Sequence, residues 1–247
     1  MRRVWGLHVS DKYLSLFYRD NGVRLRQAKK VYRFAQQNSR QLDEERKAFA
    51  VTLGNLMVRK SPIIYTDEST FSNQQTRSKS WSLRDHPNQH YIDSKHEQVT
   101  VYGAVGDALT KNVWLLASGT NQDDYQEFLR QVARHIKGSL RKPILLYDGH
   151  KAHTTPRSME AALNWFTPLQ NCRYSSNFNS PIESYWGLAK RRLHTKLLLR
   201  KQQVDRAVLR RLVQESLDEV PPSAHEGLLR ANRAYVRRYL QSQGAQE

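Results

Sequence analysis

The segment from Pro143 to Tyr147 is apolar throughout and ends at Asp148. An apolar run of this length is typical of a β-strand that is buried on both faces. A strand of that kind requires helices packed on both sides of its sheet. We therefore expect an α/β fold built around a central strand, with an aspartate at the carboxyl end of that strand.

The other segments support the same fold class. Helices are predicted over 8–20, 41–58, 122–137 and 155–166, and strands over 63–65, 98–105, 112–118 and around Cys172 and Tyr174. A long helix is predicted from Pro181, and the chain is expected to stay helical and basic after Leu199, with a break at Pro221. The polar stretch 69–96 is expected to be a long loop, and long loops inside compact domains are usually functional.

The charge of the chain indicates a polyanionic partner. Its 40 Lys and Arg residues against 23 Asp and Glu residues give a formal net charge of +17. The excess lies in residues 1–60 and 181–247, whereas residues 61–180 are nearly neutral. Nucleic acid is the commonest partner of such a surface. A membrane surface is a competing interpretation, but it needs an amphipathic basic helix with a clean apolar face. The other alternative is that the basic ends only keep the domain soluble.

Several classes of protein are not expected. A single cysteine, Cys172, excludes an intrachain disulfide and a cysteine-based zinc finger. No apolar run approaches the roughly 18 residues of a membrane span, and residues 1–5 lack the apolar core of a signal peptide. We therefore expect neither a secreted nor a membrane-spanning protein.

Three acidic residues are candidates for a metal site. Asp67 follows the strand 63–65, Asp148 follows the central strand, and Glu183 lies one turn into the long helix. If the two strands are neighbours, both aspartates emerge at the same edge of the sheet. Clustered carboxylates repel one another unless a cation lies between them, and an all-oxygen set suits Mg²⁺ or Mn²⁺. Two such ions about 3.5–4 Å apart can support phosphoryl transfer on nucleic acid.

Each of these residues also has an ordinary structural interpretation. An aspartate after a strand is usually a turn or cap residue, and Glu183 could be a first-turn acid that the helix dipole favours. His150 and His153 could suggest a zinc pair, but no further Cys or His ligand is evident and this interpretation is not favoured. Only the combination of the three acids is informative.

Three sequence blocks resemble the catalytic blocks of the Tc/mariner-type DDE transposases, in the same order. They are Asp67–Phe71 followed by Trp81, Leu145–His153, and Asn177–Trp186 followed by Lys190. Between Asp148 and Glu183 lie 34 residues, the spacing of the Tc branch. The likeness runs from about residue 40 to residue 200, and more weakly from residue 8. The third block departs from the family pattern by an extra Ser180 before Pro181.

The resemblance implies an RNase H-like fold, a mixed five-stranded sheet flanked by helices. It also implies that Asp67, Asp148 and Glu183 are catalytic residues that hold two Mg²⁺ or Mn²⁺ ions. The expected activity is cleavage of DNA strands and transfer of the freed 3′-OH to new DNA. The expected partners are double-stranded DNA, as transposon ends and target, and a second copy of the chain in a homodimer, with no membrane involved.

Further residues are assigned on the same resemblance. His153 matches a histidine that is common five residues after the second aspartate, and Trp186 matches a helix position of the family. Both are expected to support the site, although His153 could instead bond locally and Trp186 could simply pack. DNA contacts are expected from the following basic residues: Arg26, Lys29, Lys30, Lys190 and Arg191.

The resemblance also suggests a domain organisation. Residues 1–40 would be a remnant of a helix-turn-helix region with a basic linker, 41–200 the RNase H-like catalytic domain, and 201–247 a basic helical extension. A chain shortened at its N-terminus is therefore expected, in the nucleus of a eukaryote or the cytoplasm of a bacterium. Two other functions stay open: a non-catalytic or domesticated DNA-binding protein, and another RNase H-like nuclease or integrase.

Overall fold

The computed structural model describes residues 3–4, 7–8, 10–20, 39–74, 95–117, 119–138, 142–173, 175–200 and 203–244. The chain divides into two compact units, Met1–Ser39 and Arg40–Glu247. In the first unit, strands β1 (Arg3–Val4) and β2 (Leu7–His8) pair antiparallel and are followed by helix α1 (Asp11–Asp20). The predicted helix over 8–20 thus begins three residues later, where the Ser10 hydroxyl accepts a hydrogen bond from the Tyr13 N–H.

The second unit contains the sheet. Its strands are β3 (Ile63–Ser72), β4 (Gln98–Gly106), β5 (Val113–Ala117), β6 (Ile144–Tyr147) and β7 (Thr167–Gln170). Its helices are α2 (Ser39–Val58), α3 (Gln122–Arg134), α4 (Lys151–Thr154), α5 (Pro156–Trp165), α6 (Ser180–Leu198), α7 (Arg206–Asp218) and α8 (Pro222–Gly244), with a 3-10 turn over Ser176–Asn179 before α6. Within these described residues no helix is long and apolar enough to cross a membrane.

The strands form one mixed sheet in the order β5-β4-β3-β6-β7. The β5, β4 and β3 strands are antiparallel neighbours, whereas β6 runs parallel to both β3 and β7. The predicted mixed five-stranded sheet flanked by helices is therefore confirmed, and it is the RNase H-like arrangement.

The alternation of side chains along β3 divides the core into two layers. Ile63, Tyr65 and Phe71 face the larger layer, which also takes in buried side chains from α2, α6, α7 and α8. Ile64 faces the smaller layer against α3 and α5. Because successive residues of a strand point to opposite faces, Asp67 continues the first series and Glu68 the second.

Two strand predictions are wrong. β3 does not end at residue 65 but continues to Ser72, because Ile64–Ser72 pairs with β4 in nine residues of antiparallel register. The last strand is Thr167–Gln170 and not the segment around Cys172, and Tyr174 lies outside the described residues. Pro168 argues against a central strand, but β7 is an edge strand, where a missing N–H is tolerated.

The helices after residue 200 contribute to the main core. Leu209 and Leu217 of α7 and Val236 of α8 are buried in the larger layer. The side chain of Asn232 on α8 is fully buried. It accepts a hydrogen bond from the Tyr65 hydroxyl on β3 at 3.1 Å and donates to the Phe178 carbonyl oxygen at 3.1 Å. The proposed division at residues 40 and 200 stays a prediction.

We expect replacement of Asn232 by alanine to destabilise the protein. The substitution leaves the Tyr65 hydroxyl and the Phe178 carbonyl without their buried partner, which should lower the free energy of unfolding by about 2–3 kcal/mol. Urea denaturation would measure this change. Gln241→Ala, at an exposed position on the same helix, serves as the control and should change stability by less than about 0.5 kcal/mol.

Candidate active site

The parallel pairing of β3 with β6 brings two of the predicted acids together. Tyr65 lies opposite Leu146 in the register, and the Thr66 hydroxyl donates to the Leu146 carbonyl oxygen at 2.8 Å. Asp67 lies two residues after Tyr65, and Asp148 lies two residues after Leu146. Carboxylate oxygens of Asp67, Glu68 and Asp148 all lie within 4.8 Å of one another.

Asp67 is oriented by an indole. The Nε1–H of Trp186 on α6 donates to Oδ2 of Asp67 at 3.0 Å. The indole lies against Gly103, which is the register partner of Asp67 on β4. A Cβ atom at Gly103 would lie 2.3 Å from Cη2 of Trp186, a distance that real atoms do not adopt. The absence of a side chain at Gly103 therefore creates the slot that this hydrogen bond requires.

Two aromatic rings hold the buried Trp186 side chain from the sides. Phe71 of β3 meets it edge-on with ring centroids 6.0 Å apart, and Trp114 of β5 lies 6.1 Å away. Trp186 thus packs in the core, as the sequence allowed, and also touches a candidate metal ligand. The two alternatives for this residue are not exclusive.

Asp148 is oriented by the start of helix α4. Its Oδ1 accepts hydrogen bonds from the backbone N–H of His150 at 3.0 Å and from Nδ1 of His153 at 2.7 Å. The second ring nitrogen of His153, Nε2, is hydrogen-bonded to Glu68 on β3. The buried imidazole therefore bridges two carboxylates, one from each of two neighbouring strand segments.

Glu183 lies at the margin of this cluster. The turn before α6 is tied to β3, because the Asn179 side chain donates to the Thr66 carbonyl oxygen at 2.9 Å. The additional Ser180 begins the helix and accepts a hydrogen bond from Asn232 at 3.0 Å. Glu183 interacts electrostatically with both aspartates. Among the described residues, however, it belongs to neither of the two sets of three ligand atoms that lie within 4.8 Å.

The pKa values reflect the crowding of negative charge. Burial, together with the charges of Glu183 and Glu68, raises the pKa of Asp67 to about 7. Burial also raises the pKa of Glu183, although Lys190 opposes the shift. Burial acts in the same direction on Asp148, but the hydrogen bonds from His153 and His150 lower its pKa overall. A cation would relieve the repulsion within this group of carboxylates, and its oxygen donors fit Mg²⁺ or Mn²⁺.

Lys190 of α6 is a basic residue whose charge interacts with two of the acids, Glu183 and Asp67. Its ammonium lies 5.4 Å from the centroid of the Phe71 ring. Burial lowers the pKa of this lysine, while the charges of Glu183 and Asp67 act to raise it. Arg191, the next residue on α6, is exposed. The other predicted DNA contacts, Arg26, Lys29 and Lys30, lie outside the described residues.

Glu68 is the member of the site that the sequence analysis missed. Its side chain joins both sets of candidate ligands, one with Asp67 and Asp148 and one with His150 and His153. The available signal was an acid directly after Asp67 in a strand that is otherwise buried. Its importance follows from the packing of α4 over β3, which the sequence does not display.

Comparison with known families gives one match. A family model described as DDE superfamily endonuclease matches residues 62–205. This segment exceeds half of the chain and contains Asp67, Asp148 and Glu183. No curated protein matches the sequence.

The fold is similar to solved structures of the Mos1 mariner transposase. The Mos1 mariner paired end complex with Mn matches with a TM-score of 0.66 at 15% identity, over 96% of this chain and 71% of that chain. The Mos1 strand transfer complex gives 0.66 at 19% identity, over 96% and 70%. The catalytic domain of the same transposase gives 0.57 at 14% identity, over 89% and 98%. At these identities the likeness concerns the fold, and the family match confirms the predicted DDE endonuclease domain.

Replacement of Trp186 by phenylalanine tests the indole hydrogen bond. Phenylalanine keeps an aromatic ring in the slot but removes the N–H donor to Asp67. Because a hydrogen bond to a charged group is worth about 1.5–3 kcal/mol, the Mn²⁺ concentration for half-maximal thermal stabilisation should rise at least about tenfold. Trp114→Phe is the matched control, since that indole packs beside Trp186 and its change should leave the Mn²⁺ requirement unaltered.

The pKa of Asp67 predicts how the effect of a divalent ion depends on pH. The unfolded chain loses the Asp67 proton near pH 4, whereas the folded chain without metal keeps it to about pH 7. The folded state is therefore destabilised progressively between about pH 4 and pH 7 and no further above pH 7, and below pH 7 a cation that binds Asp67 must also displace its proton. Thermal melts at one fixed Mg²⁺ concentration, 100 times its Kd at pH 8, should show a rise of about 5–10 °C at pH 8 and a smaller rise at pH 6, where the Asp67 proton competes with the cation. An equal rise at both values would contradict this assignment.

Proposed function

Because this chain belongs to the DDE superfamily of endonucleases, we propose that it cleaves DNA strands at the site formed by Asp67, Asp148 and Glu183. We further propose that the freed 3′-OH is then joined to target DNA, as in cut-and-paste transposition. The observation that supports this most strongly is the convergence of the Asp67 and Asp148 oxygens within 4.8 Å, with Glu183 beside them.

In each aspartate, one carboxylate oxygen accepts hydrogen bonds from the protein. Oδ2 of Asp67 accepts from Trp186, and Oδ1 of Asp148 accepts from His150 and His153. The remaining oxygen of each carboxylate, with Glu183 at the margin, is available to hold divalent cations, two in our proposal. When bound, such ions activate an attacking hydroxyl and stabilise the leaving oxygen of a phosphodiester.

The basic residues on α6 suit a DNA backbone. Lys190 interacts electrostatically with Glu183 and Asp67. In our proposal its ammonium also binds a phosphate of the DNA strand at the site. Arg191 is exposed one residue further along the helix. Contacts from Arg26, Lys29 and Lys30 remain part of the proposal on the basis of charge alone.

The similar structures suggest the wider assembly. The Mos1 transposase has been solved as a paired end complex, a strand transfer complex and a pre-cleavage transpososome. We propose that this chain likewise acts on two DNA ends as a homodimer. Such a function requires access to chromosomal DNA, in the nucleus of a eukaryotic cell or the cytoplasm of a bacterial one.

Nicking of a supercoiled plasmid by the purified full chain tests the proposal. We expect nicking that requires Mg²⁺ or Mn²⁺ and that falls to background in Asp148→Asn, because the amide cannot supply the charge that a cation needs. Asp123→Asn is the matched control, since this exposed aspartate lies in the first turn of α3 and its change should preserve nicking.

Two results would redirect the assignment. Equal nicking by the wild type and Asp148→Asn would reject catalysis at this site. Tight, salt-sensitive DNA binding without any metal-dependent nicking would instead favour a DNA-binding protein derived from a transposase.

A further inference from the structure

A second set of candidate ligands lies next to the three acids. Glu68 of β3, His150 and His153 each place one ligand atom within 4.8 Å of the others. The third donor beside the two histidines is a carboxylate, which comes from a strand far away in the sequence.

These donors differ in chemistry from the acidic cluster. Two imidazoles and one carboxylate are a ligand set that Zn²⁺ takes in proteins, usually with water in a fourth position. Mg²⁺ in contrast prefers oxygen ligands alone. Ligands at about 2.0–2.2 Å from zinc lie roughly 3.3 Å apart, so only small side-chain movements are needed to close the set around an ion.

The surroundings of the two imidazoles resemble those of metal ligands. His153 is 97% buried, since only 3% of its side chain is exposed. Its Nδ1 is already bonded to Asp148 while Nε2 faces Glu68. A carboxylate on the far nitrogen is the usual outer partner of a metal-bound histidine, since it fixes the ring and its tautomer. Nδ1 of His150 accepts a hydrogen bond from the Ala152 N–H at 3.3 Å, which fixes the second ring at the start of α4.

Charge also favours a cation at this point. In the structure His153 lies between Glu68 and Asp148 and interacts with both carboxylates. A cation held by Nε2 would therefore lie close to two carboxylates, with Nδ1 of the same ring still bonded to Asp148.

We propose that Glu68, His150 and His153 form a Zn²⁺ site distinct from the Mg²⁺ or Mn²⁺ site at Asp67 and Asp148. Glu68 is a ligand of the proposed Zn²⁺ site, and its carboxylate also lies within 4.8 Å of the Asp67 and Asp148 oxygens. His153 contacts Asp148. Zn²⁺ bound here therefore changes the surroundings of the acidic cluster without displacing Asp67. Zinc binding does not depend on DNA cleavage, and it is testable whether or not the protein is a nuclease.

The test is a Zn²⁺ titration of the full chain in saturating Mg²⁺, followed by competition with a chromogenic zinc chelator. We expect one bound Zn²⁺ in the wild type and binding at least about tenfold weaker in His150→Asn, since even the loss of an outer partner costs that much. Asparagine is a good N-cap residue, so this variant should keep the start of α4 and the melting temperature of the metal-free protein.

Two further variants make the result specific. His135→Asn removes a histidine at the end of α3 and should bind Zn²⁺ like the wild type, as should Asp67→Asn. Unchanged Zn²⁺ affinity in His150→Asn would overturn the proposal. So would an equal loss of affinity in Asp67→Asn, because zinc would then occupy the acidic cluster.

Discussion

The parallel alignment of β3 with β6 is the constraint on which the site depends. Three matched pairs of residues, from Ile63 opposite Ile144 to Tyr65 opposite Leu146, set this register. A shift of one residue would turn Asp67 to the opposite face of the sheet. The buried apolar side chains on both sides of the two strands oppose such a shift. Packing of the core thereby fixes the distance between the two aspartates, which a loop could not do as rigidly.

Charge repulsion at that edge is tolerated because each aspartate is held by a donor from a different layer. The indole of Trp186 reaches Asp67 from the α6 side, and the imidazole of His153 reaches Asp148 from the α4 side. The remaining repulsion between the carboxylates, together with burial, raises the pKa of Asp67. A site of this kind sacrifices stability in the absence of its cation and recovers it on binding.

Much of the fold and part of the site could be predicted from the sequence. The apolar run before Asp148 and the proline at the start of α6 predicted two elements correctly, because burial and proline geometry are local signals. The predicted strand 63–65 is too short, since Thr66 to Ser72 is polar except for Phe71 and its pairing with β4 involves residues about thirty positions away. The role of Glu68 could not be predicted for the same reason: its partner His153 comes from a helix that only the folded sheet brings near.

Anomalous X-ray diffraction from crystals of the protein with Mn²⁺ tests the central claim most directly. The account predicts anomalous peaks bounded by the carboxylates of Asp67 and Asp148 and facing Glu183, with two ions about 3.5–4 Å apart if both are bound. Ordered Mn²⁺ found only elsewhere on the protein, with these carboxylates facing water alone, would contradict it.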